Sequence, residues 1–269
     1  MRPLPRIALL LVLAFLVSPV ASQAAPRVVL LDTGVASGHP ELVGRVDLDG
    51  ALTLVDDGRG IRDCHGHGTA VASIIAGNRI GLAPTATITP IRILDCAKRA
   101  TPDRVIRALR HVLAQRRSGA WLEPTIINAS FALPRDPQID ALIDQLARRG
   151  VPTVASAGNR AESACLHSPA SAATSITIGA YTSTKGPYWS SNTGPCVDYY
   201  APARRLGATP KAGYRHRLGT SISAAIATGI VARANPDRLS VRQVRRILDR
   251  HGAREPWGYL ITPKRPASS

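Results

Sequence analysis

Two kinds of apolar spacing alternate along this chain. Val28 to Leu31 is an unbroken apolar run, as expected of a strand buried on both faces of a parallel sheet, and the largely apolar stretches Ile88 to Leu94 and Val151 to Ala155 have the length of further strands. Between them, apolar residues recur at three- and four-residue intervals. Val105, Ile106, Leu109, Val112 and Leu113 trace one helical face behind Thr101-Pro102, an N-cap with a first-turn proline. Ile139, Leu142, Ile143 and Leu146 trace a second. Gly68 to Gly77 and the segment from Ser221 to about Arg233 read as helices of small residues, able to pack closely. Ser240 is placed to cap a last helix, Val241 to Arg250. Strands alternating with helices put the chain in the α/β class. Such sheets carry their sites at the carboxyl ends of strands, and the first strand ends in Asp32-Thr33-Gly34.

The first 24 residues have a different design. Arg2 and Arg6 precede the apolar run Ile7 to Val17, and Ser22-Gln23-Ala24 offers a small-residue cleavage site, so residues 1–24 read as a secretory signal peptide. The run falls short of the roughly 20 residues that span a bilayer, which disfavours an anchor. Residues 25–269 are then one exported domain, periplasmic or extracellular, long enough for a sizeable core. Loss of Arg2 and Arg6 lowers the formal charge by two, from +16 to +14. The basic residues are scattered in pairs such as Arg116-Arg117 and Arg245-Arg246, and aromatics make up only 4% of the chain, so few rings are available to stack bases. A solvated basic surface, open to acidic partners, fits better than a nucleic-acid site. Four cysteines suit an oxidising compartment and allow three pairings. A metal site from Cys64, His65 and His67 lacks a fourth ligand.

The candidate chemistry centres on Gly219-Thr220-Ser221-Ile222-Ser223, which delivers a serine to the start of an apolar run. A serine hydroxyl needs a neighbouring base to act as a nucleophile, and the base needs an orienting carboxylate. His67 stands in Gly66-His67-Gly68-Thr69, and Asp32 closes the first strand. Asp-Thr-Gly also marks aspartic proteases, but these need a second such motif, and none occurs.

The order Asp32, His67, Ser221 in these contexts resembles the subtilisin-type serine proteases, the subtilases, over about Val28 to Arg250. Supporting motifs are His39-Pro40-Glu41-Leu42, Gly81-Leu82-Ala83-Pro84, Ala157-Gly158-Asn159 and Val197-Asp198-Tyr199-Tyr200-Ala201-Pro202. The resemblance implies a doubly wound, mostly parallel sheet with helices on both faces. It implies Ser221 as nucleophile, His67 as base, Asp32 as its orienting partner, and Asn159 with the Ser221 N–H as oxyanion donors. His67, not His65, precedes Gly-Thr, so His65 is expected on the surface. Ser130, Phe131 and Ala132, with Ser156, Ala157 and Gly158, stand where relatives bind substrate as an added strand. Asn128 is either a satisfied polar residue at a strand end or a catalytic one. The cysteine contexts resemble the proteinase K-like branch, implying Cys64–Cys96 and Cys165–Cys196; loops of that length are worth roughly 3 to 4 kcal/mol each. The expected partner is a protein or peptide substrate of a monomer. No cofactor is required, and the short Gly77–Gly81 stretch argues against subtilisin's calcium loop there.

Departures from the family pattern are Ala70 for a second histidine, Ser73 for glycine, Phe131 and Ala132 for leucine and glycine, Ala203 for glycine, and Ala225 for proline. The first strand follows the leader almost at once, so no N-terminal propeptide is expected. The competing reading is a catalytically inactive, subtilase-like binding module; hydrolysis of small esters is a further use of the same chemistry.

Overall fold

A computed structural model of the chain describes residues 24–183, 186–256 and 258–263; residues 1–23 of the expected signal peptide lie outside these. In chain order the elements run β1 (Arg27–Asp32), β2 (Leu52–Thr53), α1 (His67–Ala76), β3 (Thr87–Arg92), α2 (Pro102–Ser118), β4 (Thr125–Ala129) and β5 (Leu133–Pro134). Then come α3 (Pro137–Ala147), β6 (Thr153–Ser156), β7 (His167–Ser168), β8 (Ile176–Ser183), β9 (Gly186–Pro187), β10 (Tyr199–Pro202), β11 (Arg204–Ala208) and β12 (Tyr214–Leu218). The chain closes with α4 (Thr220–Arg233), α5 (Val241–Asp249), β13 (Gly252–Glu255) and β14 (Gly258–Ile261).

The main sheet has the order β13-β14-β10-β8-β6-β4-β1-β3-β2, with β9 paired to β8. Every pairing from β2 across to β14 is parallel; β13 and β9 alone join it antiparallel. β1 lies between β3 and β4, in register Leu30↔Pro90 and Leu30↔Asn128. The chain goes from β1 to β3 on one side and then crosses to β4 on the other, so the strand order reverses around β1. The crevice at the carboxyl ends of these strands is where such sheets hold their sites.

The period-two alternation of β1 divides the core. Val28 and Leu30 pack with residues of α1, α4 and α5, among them Val71, Ile75, Ile226 and Val244. Val29 and Leu31 pack with α2 and α3 through Leu109, Val112, Ile139 and Ile143. α2 begins at the cap its sequence suggests, and α3 has a cap of its own. Thr101 Oγ1 accepts from Arg104 N at 3.3 Å, and Asp136 Oδ1 accepts from Gln138 N and Ile139 N. Ser240 caps α5 through Gln243 N at 3.2 Å. A second, two-stranded sheet, β11-β12, leads directly into α4. Among the described residues, no helix is long and apolar enough to cross a membrane.

Two disulfides form, Cys64–Cys96 and Cys165–Cys196, with Cα separations of 5.2 and 5.4 Å. The first ties the segment before α1 to the turn after β3. The described residues contain a grouping of Asp57 with Cys64 and Cys96, but both sulfurs are spent in the disulfide and offer no thiolate to a metal.

Candidate active site

β1 and α1 bring the first two residues together. Asp32 is buried at the end of β1, and its Oδ1 lies 2.7 Å from His67 Nδ1 and accepts from Thr33 N, also at 2.7 Å. An ionised carboxylate can only accept, so the bond assigns the His67 proton to Nδ1 and leaves Nε2 as the acceptor nitrogen. The approach depends on Gly68. A Cβ there would sit 2.1 Å from Gly34 O and 3.2 Å from Asp32 Cβ.

Asp63 fixes this corner. Its buried carboxylate accepts from Thr33 Oγ1 (2.8 Å), from the N–H groups of His65, Gly66 and Thr69, and from Thr69 Oγ1. The turn after Asp32 and the first turn of α1 are thus locked to one anion, at the helix end where negative charge is favoured. Sequence reasoning gave Asp63 no role. The available signal was an acid four residues before the histidine, at the start of a helix lacking any side-chain cap.

Ser221 stands in the first turn of α4, one residue after Thr220 and two after Gly219, whose φ of 115° is open to glycine. Its Oγ donates to Ser130 O at 3.1 Å, and in return Ser130 Oγ donates to Ser221 O at 3.2 Å. Among the described residues His67 Nε2 has no hydrogen-bond partner, so the structure assembles the Asp32–His67 pair but not a His67–Ser221 bond. Such contacts are often loose before substrate binds. Asn128 resolves to the structural reading. It is fully buried, accepts from Thr228 Oγ1 at 2.9 Å and donates to Ser130 Oγ at 2.9 Å, which supports the Ser130–Ser221 contact from beneath.

Asn159 borders the same point. Its Oδ1 accepts from Thr220 N at 3.0 Å, which fixes the amide and leaves its NH2 group without a partner among the described residues. A cleft of about 360 Å³ is lined by Ser130, Phe131, Ala132, Ser156, Gly158, Asn159 and Ser221. Ala157, expected with them, is not part of the lining. Its side chain is buried against Ala164 and Ala170, because the alternation of the chain after β6 turns it inward. Lys98, Arg99 and Arg160, to which the sequence assigned no site role, complete the cleft together with Leu94, Ala100 and Leu133. His65 is exposed, its ring 6.2 Å from that of His67, and burial followed by the neighbouring His67 lowers its pKa. A larger hollow of about 860 Å³, near Tyr200 and Tyr259, touches none of the candidate catalytic residues.

The family model described as "Subtilase family" matches residues 24–254. The chain belongs to the subtilase family. It is 32% identical over 215 residues to "Extracellular serine proteinase" of Thermus sp. (strain Rt41A), a match that covers 79% of this chain and 51% of that protein. It is 34% identical over 204 residues to "Alkaline serine exoprotease A" of Vibrio alginolyticus, covering 76% of this chain and 37% of that one. The subtilase chain thus spans about half the length, or less, of the curated relatives it matches. Among solved structures, a cold adapted subtilisin-like serine proteinase superposes with a TM-score of 0.79 at 27% identity, covering 90% of this chain and 89% of that one. The fold is subtilisin-like.

Two departures from the subtilase pattern have a structural account. Ala70 faces Gly207 of β11, where a Cβ would come within 3.0 Å of Ala70 Cβ; the bulk of a histidine ring is incompatible with that approach. Ser73 Oγ donates to Ala70 O at 2.8 Å and accepts from Ala208 N at 2.9 Å, so it fastens β11 to α1 as a glycine could not. Ala225, in place of proline, lies inside an uninterrupted α4.

Proposed function

We propose that this subtilase is an exported serine endopeptidase that cleaves peptide bonds through an acyl-enzyme. The carrying observation is the 2.7 Å bond from His67 Nδ1 to the buried Asp32, which leaves Nε2 open. A substrate strand laid along Ser130–Ala132 competes for the backbone groups of that segment. With Ser130 O engaged elsewhere, Ser221 Oγ turns to His67 Nε2, which takes its proton as Oγ attacks the scissile carbonyl. The carbonyl oxygen becomes an oxyanion facing two donors. One is the Ser221 N–H, which as a first-turn group of α4 has no partner within the helix. The other is the Asn159 amide, already pinned by Thr220. Asp32 stabilises the imidazolium without taking its proton. The imidazolium then protonates the leaving amine; water, deprotonated by the same nitrogen, attacks the acyl carbon, and that proton passes to Ser221 Oγ as the acyl–oxygen bond breaks. The leader-like N-terminus and two disulfides support export.

One observation favours a second reading, an inactive binding module: Ser221 Oγ is bonded to Ser130 O and not to His67. Labelling of the oxidised mature chain by a serine-directed fluorophosphonate separates the two. The expected result is labelling at Ser221, absent in Ser221→Ala, with casein cleavage reduced at least about 10⁴-fold in that variant and its melting temperature preserved. A folded wild-type chain that takes no label overturns the peptidase reading.

A further inference from the structure

The charges around the cleft have a consistent sign. Lys98, Arg99 and Arg160 line it, and no lining residue carries a carboxylate. Arg99 is partly neutralised, because its Nε lies 3.2 Å from Asp95 Oδ2. Lys98 and Arg160 are in no ion pair among the described residues. Lys98 lies in the tight turn from Asp95 to Arg99, with a φ of 61° and its N–H donated to Asp95 O at 2.9 Å, so the backbone fixes where its stem begins. Burial lowers the pKa of its ammonium; Asp32 opposes this, and the cationic Arg217 adds to it. That is the electrostatic condition of a cation short of counter-charge. Arg217 itself lies on the His67 side, donating to Gly66 O at 3.3 Å while its buried Nε finds no acceptor among the described residues. Asp32, the carboxylate paired with His67, is buried and engaged with His67 and Thr33. A basic side chain of an incoming peptide therefore meets like charge in the cleft and no carboxylate among its lining residues, whereas a carboxylate meets an under-compensated cation. Cleft walls focus such a field, which favours both encounter and retention of anionic ligands.

We propose that the cleft selects acidic peptide segments, with Lys98 and Arg160 receiving Glu or Asp side chains that flank the scissile bond. This rests on the peptidase reading and names its substrate class. The test uses the oxidised mature chain, active-site titrated with fluorophosphonate, and three quenched fluorescent peptides that differ only in Glu, Gln or Lys at the positions flanking one cleavable bond. The expected kcat/KM ratio of the Glu to the Gln peptide is about tenfold, with the Lys peptide below both, and the ratio shrinks between about 0.05 and 0.5 M salt as the charges are screened. The double variant Lys98→Gln, Arg160→Gln brings the ratio towards one. A titratable wild type whose ratio is one or less, or a double variant that keeps the wild-type ratio, overturns the proposal while leaving the peptidase reading intact. If no label is taken up, the peptidase reading fails, and the cleft is read by fluorescence anisotropy of the same peptides. Preference for the Glu peptide supports acidic recognition and equal binding overturns it.

Discussion

The two faces of the central sheet are built on different principles. On the α2–α3 face the helices are ordinary amphipathic ones. In α2 only Val105, Ala108, Leu109, Val112 and Leu113 are buried, and the arginines of its other face are solvated. On the α1–α4 face, α4 is buried along its whole length from Thr220 to Ala232, in a sequence rich in Ala, Ser, Thr and Gly. Its polar groups are consumed by the sheet: Ser223 Oγ contacts Ala201 O and Pro202 O, and Thr228 Oγ1 donates to Asn128. A large apolar side chain adds burial but keeps backbones apart. Small and hydroxylated residues give up burial for close approach and directed bonds. The face that carries His67 and Ser221 is the second kind, and the face that only supports the sheet is the first.

Substitutions can break or sharpen this contrast. The largest effect is expected at the mouth of the small-residue face, where Asn159→Ala removes the proposed oxyanion donor. A donor of this kind, in subtilisin itself, is worth about 10²–10³ in turnover. The measurement is kcat at saturating peptide, and a loss confined to KM would remove Asn159 from the chemistry. Next, Leu109→Ala opens a cavity on the amphipathic face and is expected to cost about 2–5 kcal/mol in urea unfolding. Gly229→Ala tests the other face by overpacking, since the added Cβ falls 2.8 Å from Leu82 Cβ. Here the expected cost is about 1–3 kcal/mol. If Gly229→Ala were neutral, close approach would not be what holds α4 in place.

The smallest effect is electrostatic. The Arg92 guanidinium, fully buried at the end of β3, hydrogen-bonds Asp57 at 2.6 and 2.7 Å and holds its pKa down at about 2, with the Arg59 N–H assisting and desolvation opposing. The folded-state value lies below the unfolded one of 3.8, so this contact stabilises the fold fully above about pH 4 and is lost as pH falls towards 2. The urea midpoint should fall over that window, and less steeply in Asp57→Asn. An unchanged slope in the variant would show that other carboxylates govern acid unfolding.

The sequence exposes the first kind of face readily. A 3.6-residue period needs only the contrast of apolar and charged positions, and Thr101-Pro102 marks where α2 begins. The second kind is harder to read, because α4 has no amphipathic contrast and is marked only by its run of small residues behind Ser221. Asp32, His67, Ser221 and Asn159 could be singled out as candidates because each sits in a short motif dictated by local backbone geometry. Asp63, Ser130 as the acceptor for Ser221, and the cations of the cleft were not. Their roles depend on contacts between segments distant in the chain, which no local pattern encodes. Ala157 shows the same limit: its motif gives its position but not that its side chain turns towards Ala164 and Ala170.

The position of β1 also bears on timing. Asp32 is set in place only when residues 87–92 and 125–129 have closed around β1, and Ser221 only when α4, from the last quarter of the chain, lies across the finished sheet. Pairings between such distant segments form late, because loop closure must precede the contacts that reward it. An emerging or partly unfolded chain therefore holds Ser221 and His67 apart. The topology works as a safety catch for the proposed chemistry: Asp32 and Ser221 meet only after segments from both ends of the domain have joined the sheet.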